Sequence, residues 1–289
     1  MSAEDQATNR TPTLWRAPRR WRDGPRAVTA SFRLLPDFVI IGAQKAGTTS
    51  LFRYLSQHPE VLPSARKEVH YFDLQLDRGE RWYRSQFPTR FERDRVRARE
   101  GRCLTGEASP YYLFHPLAPA RARALVPEAR LIALLREPVD RAFSHYHHEK
   151  RAGREPLEFG AAIERERAEF SAESERLIAQ PERYSEFHHR HCYLHRGRYA
   201  DQLEHWLESF PAEQLLILRS EDLFDHPAET FSRVLEFIGL SPWAPGVFEK
   251  HNIGRYDQIE TNDRRGIEEF FREPNAQLRE RFGSEFHWD

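Results

Sequence analysis

Lysine is nearly absent from this chain: Lys45, Lys67, Lys150 and Lys250 stand against forty arginines in 289 residues. A basic charge needed only at the surface would be written as arginine here. A lysine therefore marks a position where a compact point charge is wanted rather than a planar fork. Cysteine is as scarce: Cys103 and Cys192 alone cannot make a disulfide framework, and a reducing compartment is the simpler assumption. No run approaches the roughly twenty apolar residues of a membrane span, and the N-terminus lacks the apolar core of a signal peptide. Nor is one sign of charge in excess, since 44 basic and 45 acidic residues are interspersed, which gives no case for nucleic acid as a partner. What remains, at 39% hydrophobic residues, is enough for one sizeable α/β core with a helical insertion. The arginine-for-lysine usage fits a GC-rich genome, and the expectation is a bacterial, cytoplasmic protein.

The apolar strand Phe38-Val39-Ile40-Ile41 runs into Gly42-Ala43-Gln44-Lys45-Ala46-Gly47-Thr48-Thr49-Ser50 and then an amphipathic helix carrying Leu51, Tyr54 and Leu55. A strand feeding a glycine-bearing turn and a helix N-terminus aims backbone N–H groups and the positive end of the helix dipole at one point, which suits a phosphate or sulfate. In a nucleoside-triphosphate loop the lysine follows the second glycine and the next hydroxyl holds magnesium; here Lys45 precedes Gly47. The loop can grip an anion without a metal. Alone, such a turn can also be merely structural.

A second anion site is expected where Leu131-Ile132-Ala133-Leu134-Leu135, a buried parallel strand, ends in Arg136-Glu137-Pro138. Ligands of open α/β sheets bind at the carboxyl ends of strands, which sets Arg136 beside the Lys45 loop. A magnesium-dependent enzyme would carry an aspartate there. Ser144, about two helical turns on, can share an anion with the guanidinium. Two anion sites and no metal carboxylate imply a ligand with phosphates at both ends.

These residues resemble the sulfotransferases that use 3′-phosphoadenosine 5′-phosphosulfate (PAPS), in particular the heparan sulfate sulfotransferases and their soluble bacterial relatives. The resemblance runs through Pro36 to Gly42, Lys67-Glu68-Val69-His70-Tyr71-Phe72-Asp73, Gly106-Glu107-Ala108-Ser109-Pro110-Tyr111, Gly197-Arg198-Tyr199, Glu221-Asp222-Leu223 and Phe271 to Asn275. It implies a P-loop-like three-layer fold with a central parallel sheet and helices on both faces. It also implies that Lys45, Ala46, Gly47, Thr48, Thr49 and Ser50 bind the 5′-phosphosulfate, that Arg136 and Ser144 bind the 3′-phosphate, and that Gly254 and Arg255, with Lys250 a weaker candidate, close over the nucleotide. No metal is implied. Glu68 would be the general base, with His70 as its orienter or as the base itself. The product would be adenosine 3′,5′-bisphosphate (PAP), and the acceptor a carbohydrate or small-molecule hydroxyl or amine. One departure is Ala108, where several members that modify glycosaminoglycans carry a lysine, so either another cation covers the role or the acceptor is less anionic. A lipid, polyketide or aryl alcohol acceptor, a magnesium-dependent nucleotide kinase, and a non-catalytic nucleotide-binding module are the competing readings.

Residues 1–33, with three prolines and an Arg-Arg-Trp-Arg cluster, read as a mobile arm before a domain over 34–289, and Trp15 and Trp21 could dock on the domain. The charged stretch 151–190 reads as a helical lid or insertion whose acid and base runs form solvated helix faces. His188, His189, His191 and His195 with Cys192 do not match a standard zinc spacing. Trp82, Tyr83 and Phe87 read as core more than as an acceptor platform.

Overall fold

A computed structural model describes residues 26–250 and 261–288. Four strands, β1 (Phe38–Gly42), β2 (Gly106–Ala108), β3 (Arg130–Leu135) and β4 (Leu215–Arg219), form one parallel sheet in the order β2-β1-β3-β4. All of β1 and all of β3 except Arg130 are buried, as their aliphatic runs require of strands covered on both faces. The run Leu215-Leu216-Ile217-Leu218 reads as a buried strand, but with no further strand beside it among the described residues β4 is half-exposed except at Leu218.

The chain leaves β1 for β2 on one side and then crosses to β3 on the other, so the order reverses between β1 and β3. That reversal opens a crevice at the carboxyl ends of these strands. The stretch Cys103-Leu104-Thr105-Gly106 reads as a strand, but the strand begins only at Gly106; Leu104 makes a single bridge to Val61. Beside β2 the segment after Val61 runs nearly parallel, with the Ser64 N–H donating to Gly106 O at 3.1 Å and the Ala108 N–H to Lys67 O at 3.2 Å. This pairing carries Lys67 and Glu68 to the carboxyl end of the sheet.

Helices surround the sheet. α1 (Thr48–Gln57) follows β1 and buries Leu51, Tyr54 and Leu55. Next come α2 (Tyr71–Leu74), α3 (Gly79–Ser85), α4 (Arg90–Glu100) and α5 (Ala118–Leu125). Thr89 and Glu92 form a reciprocal capping box on α4, and Gly101 at φ 84° ends it. α6 (Pro138–Arg151) follows β3, its start capped by the Glu137 carboxylate on the N–H groups of Val139 and Asp140. The remaining helices are α7 (Phe159–Ala179), α8 (Glu186–Arg190), α9 (Tyr199–Leu207), α10 (Ser220–Asp225), α11 (Pro227–Ile238) and α12 (Thr261–Phe282).

Besides the sheet core there is a second apolar cluster where α6, α7 and α12 meet, around Val139, Tyr146, Phe159, Ile163 and Phe271. α7 is thus seated rather than detached. Within its charged run, Glu166 is wholly buried instead of solvated: its carboxylate accepts from the N–H groups of Tyr193, Leu194 and His195. The described end of the arm is held by hydrogen bonds. Arg26 donates to Ser85 O and Phe87 O, Arg33 donates to Phe87 O at 2.6 Å, and Ala30 is buried, so residues 26–33 are fastened to the body. Trp15 and Trp21 lie outside the described residues. Trp82, Tyr83 and Phe87 are core.

Candidate active site

The loop after β1 is shaped by close approach and by left-handed backbone. A Cβ on Gly42 would lie 2.4 Å from Leu113 Cβ, so only glycine passes there. Lys45 at φ 72° and Gly47 at φ 90° then turn the chain into α1, and a Cβ on Gly47 would also stand 3.0 Å from the Phe224 ring. A lysine in the left-handed region stores strain at the position where the sequence spends one of its few lysines. The Ala46 N–H donates to Ala43 O at 3.2 Å, closing the turn on itself.

A cavity of about 630 Å³ opens over this loop, at the reversal point of the sheet. Lys45, Gly47, Thr48 and Thr49 line one part of it, Arg136 and Ser144 a second, and Glu68 and His70 a third. These are the residues the sequence pattern selects, brought together from three separate segments. Ala46 and Ser50 stand behind the cavity with buried side chains rather than on its wall, because each faces the core side of the turn or helix. Gly254 and Arg255 lie outside the described residues. Lys67 and Lys250 also line the cavity, so three of the four lysines converge on it.

Distant motif residues support the Arg136 corner. The Tyr199 hydroxyl donates to Arg136 O at 2.8 Å, and Arg136 Nη1 donates to Lys45 O at 3.3 Å. Gly197 is required because a Cβ would meet the Phe271 ring at 2.7 Å. Glu221 accepts from the Glu137 N–H at 2.9 Å. Burial, then the Arg151 and Arg136 charges, lower the Lys45 ammonium to about 8. A site that lowers a cation's pKa is one in which an arriving anion relieves repulsion.

At the other end Glu68 is partly exposed. Its Oε1 accepts from Lys67 Nζ at 2.6 Å and its Oε2 lies 3.4 Å from His70 Nε2. His70 Nδ1 is 2.8 Å from Asp73 Oδ2. Desolvation would raise the Glu68 carboxyl, but His70 and Lys67 outweigh it and hold the group down at about 2. Burial would lower His70, but Asp73 and Glu68 outweigh it and raise the imidazole to about 10. On an extended segment His70 would share a side with Glu68; instead it takes a left-handed φ of 55° and starts α2. The ring is thereby swung between two carboxylates. Asp73 was missed as a partner although it is three residues on, because an extended reading puts it on the opposite side. His148 and His189 also line the cavity without a motif to announce them. The four clustered histidines each have a protein partner: His188 bonds the Tyr111 hydroxyl, His189 the Tyr184 hydroxyl, His191 faces Glu155 and His195 faces Glu166. Among the described residues no group of three or more His, Cys, Asp or Glu side chains could hold a metal ion.

A P-loop-like α/β fold with cations gathered at the strand ends of β1 and β3 defines an enzyme of anionic group transfer. The chain belongs to the sulfotransferase family, whose domain matches residues 35–252. It is 28% identical to the human heparan sulfate glucosamine 3-O-sulfotransferase 3B1, over 92% of this chain and 70% of that protein. To the human bifunctional heparan sulfate N-deacetylase/N-sulfotransferase 3 it is 36% identical over 72% of this chain, but only 23% of that protein. The membrane-associated sulfotransferase kil1 of Dictyostelium discoideum is 26% identical over 88% of this chain and 66% of its own length. Among solved structures, a sulfotransferase from Alicyclobacillus acidocaldarius aligns with a TM-score of 0.63 at 30% identity, covering 89% of this chain and 97% of that one. No helix of the described residues is long and apolar enough to cross a membrane.

Proposed function

We propose that this sulfotransferase moves a sulfuryl group from PAPS to a hydroxyl or amine of a carbohydrate, with Glu68 as general base. The observation that carries this reading is a single cavity shared by the Lys45 loop, the Arg136–Ser144 pair and Glu68. The loop and the α1 N-terminus suit the 5′-phosphosulfate, and Arg136 with Ser144 suits the 3′-phosphate. In the transfer the acceptor oxygen or nitrogen forms a bond to sulfur as the bond from sulfur to the bridging phosphate oxygen breaks. The electron pair goes to that oxygen, where Lys45 and the helix dipole stabilise it, and the acceptor proton goes to Glu68. No metal takes part in this scheme.

Of the two candidate bases Glu68 is favoured on charge. An imidazole raised to about 10 is already protonated at neutral pH and cannot accept, while it can hold Glu68 ionised and in place. A carboxylate lowered to about 2 accepts the proton only once transfer has drained charge from the acceptor atom. The carbohydrate class is supported by the printed names of the heparan sulfate relatives. Ala108 does not argue against an anionic sugar: it is buried in β2, and Lys67, held beside it, lines the cavity with a cation. Residues 151–190, which bring His189 to the cavity wall, are proposed to bear on acceptor choice as a lid. Two buried, unpaired cysteines accord with a cytoplasmic setting.

The test is calorimetry of PAP binding with and without EDTA, on the wild type and on Arg136→Ala. Binding that ignores EDTA and weakens by about tenfold or more in the variant is expected, as for loss of a charged hydrogen bond. Binding that needs magnesium would return the loop to a nucleotide kinase.

A further inference from the structure

Glu107, in β2, is wholly buried and has three hydroxyl groups as partners. Its Oε1 accepts from the Tyr83 hydroxyl at 2.7 Å and the Tyr112 hydroxyl at 3.1 Å, and its Oε2 accepts from the Ser109 hydroxyl at 2.7 Å. A hydroxyl has one proton to give. Once that proton is spent on the carboxylate, the oxygen's lone pairs are left to accept from elsewhere. The Ser109 oxygen accepts from the His70 N–H at 3.0 Å, and the Tyr112 oxygen from the Tyr71 N–H at 2.7 Å and the Phe72 N–H at 3.4 Å. Those are the leading N–H groups of α2, which no carbonyl of the helix can reach. They also bracket His70, whose left-handed backbone its own β-carbon disfavours.

We propose that Glu107 is a positioning residue for the acceptor-side base: by taking the protons of Ser109 and Tyr112 it turns both oxygens toward the start of α2, and so holds His70 between Glu68 and Asp73. It touches neither donor nor acceptor and acts through two hydroxyls and a backbone turn. Burial pushes its own carboxyl up to about 7, and the three hydroxyl donors pull the other way. The value of this arrangement rests on the reading of Glu68 as base, but the arrangement itself can be tested apart from it.

Glu107→Gln keeps the shape and replaces one acceptor oxygen by a donor NH2, which leaves a hydroxyl facing it without an acceptor for its proton and loosens the orientation of that oxygen toward the start of α2. On the full chain, the His70 imidazole is followed by NMR through pH 5 to 11, with Glu68, Asp73 and His189 as the titratable groups around it. In the wild type the midpoint is expected at about 10. In Glu107→Gln it falls toward the ordinary histidine value of about 6.5. Ser109→Ala, a smaller change that keeps the test alive if the first variant does not fold, moves it the same way, and the double variant moves it no further than the larger single effect. An unshifted His70 in either folded variant, or effects that simply add, overturns the proposal. Calorimetry with PAP on the same samples addresses the donor reading separately: a wild type that does not bind PAP sinks that reading, while the His70 titration still decides the role of Glu107.

Discussion

Glu68, the base in the proposed transfer, is kept ionised by its neighbours, and this sets what its loss should do. Glu68→Gln preserves the bond to Lys67 while removing the proton acceptor, so turnover from PAPS to a heparosan oligosaccharide should fall by about 10²–10⁴-fold with PAP affinity unchanged. Equal losses in both would make Glu68 a nucleotide ligand instead. Lys45 sets a pH dependence of opposite character. Its free-protein pKa of about 8 means the charge is present below that pH and lost above it. Binding an anion holds the proton on, so PAP affinity should be flat at lower pH and about tenfold weaker one pH unit above the midpoint, as calorimetry between pH 7 and 9 would show. At this scale the sequence was legible wherever a residue's chemistry depends on near neighbours: Lys45, Gly47 and Arg136 followed from strand ends and spacing. The Glu68–His70–Asp73 geometry was not, because the turn at His70 is held by Ser109 and Tyr112, which arrive from another segment.

Among the elements, the proposed function rests on the junction of β1 with α1 and not on the α4 start, and two substitutions separate them. Gly47→Ala puts a β-carbon into a left-handed backbone and against Phe224, so it should destabilise by about 1–2 kcal/mol and weaken PAP binding together. Thr89→Ala removes the α4 capping box at a cost of about 1 kcal/mol and should leave PAP binding alone. Chemical denaturation and calorimetry on the pair decide the point; PAP affinity retained in Gly47→Ala would remove the loop from the site. Elements with a strong local pattern were legible: β1, β3, α1 and α11, the last from Phe231, Val234, Leu235 and Ile238 at helical spacing and a stop at Gly239, which lies in the left-handed region. The edge position of β4 was not, since centre and edge differ by which strand pairs with which, and not by the aliphatic run itself. Glu166 was misread for the same kind of reason: its partners are N–H groups of a turn contributed by Tyr193 to His195, well beyond its own helix.

For the molecule as a whole, the sheet order places the reversal between β1 and β3, and the segments that build the cavity are drawn to that one place from residues 44 to 250. The two buried strands that lead into Gly42 and Arg136, with the family resemblance, made this class of architecture readable. The seating of α7 on a second core was not, because α12, far along the chain, supplies much of the surface it packs on. The convergence of lysines has a practical consequence. Lys45, Lys67 and Lys250 face one cavity, and Lys150 is committed outside it to Glu158 and the Leu157 carbonyl. An amine-directed phosphate aldehyde such as pyridoxal phosphate, fixed by borohydride, therefore meets almost no background on this protein. Lys45, partly deprotonated near neutral pH, should label first and be shielded by PAP, and mass spectrometry of the peptides would show whether it is. The chain is in effect already stripped for covalent mapping, with its own composition serving as the contrast.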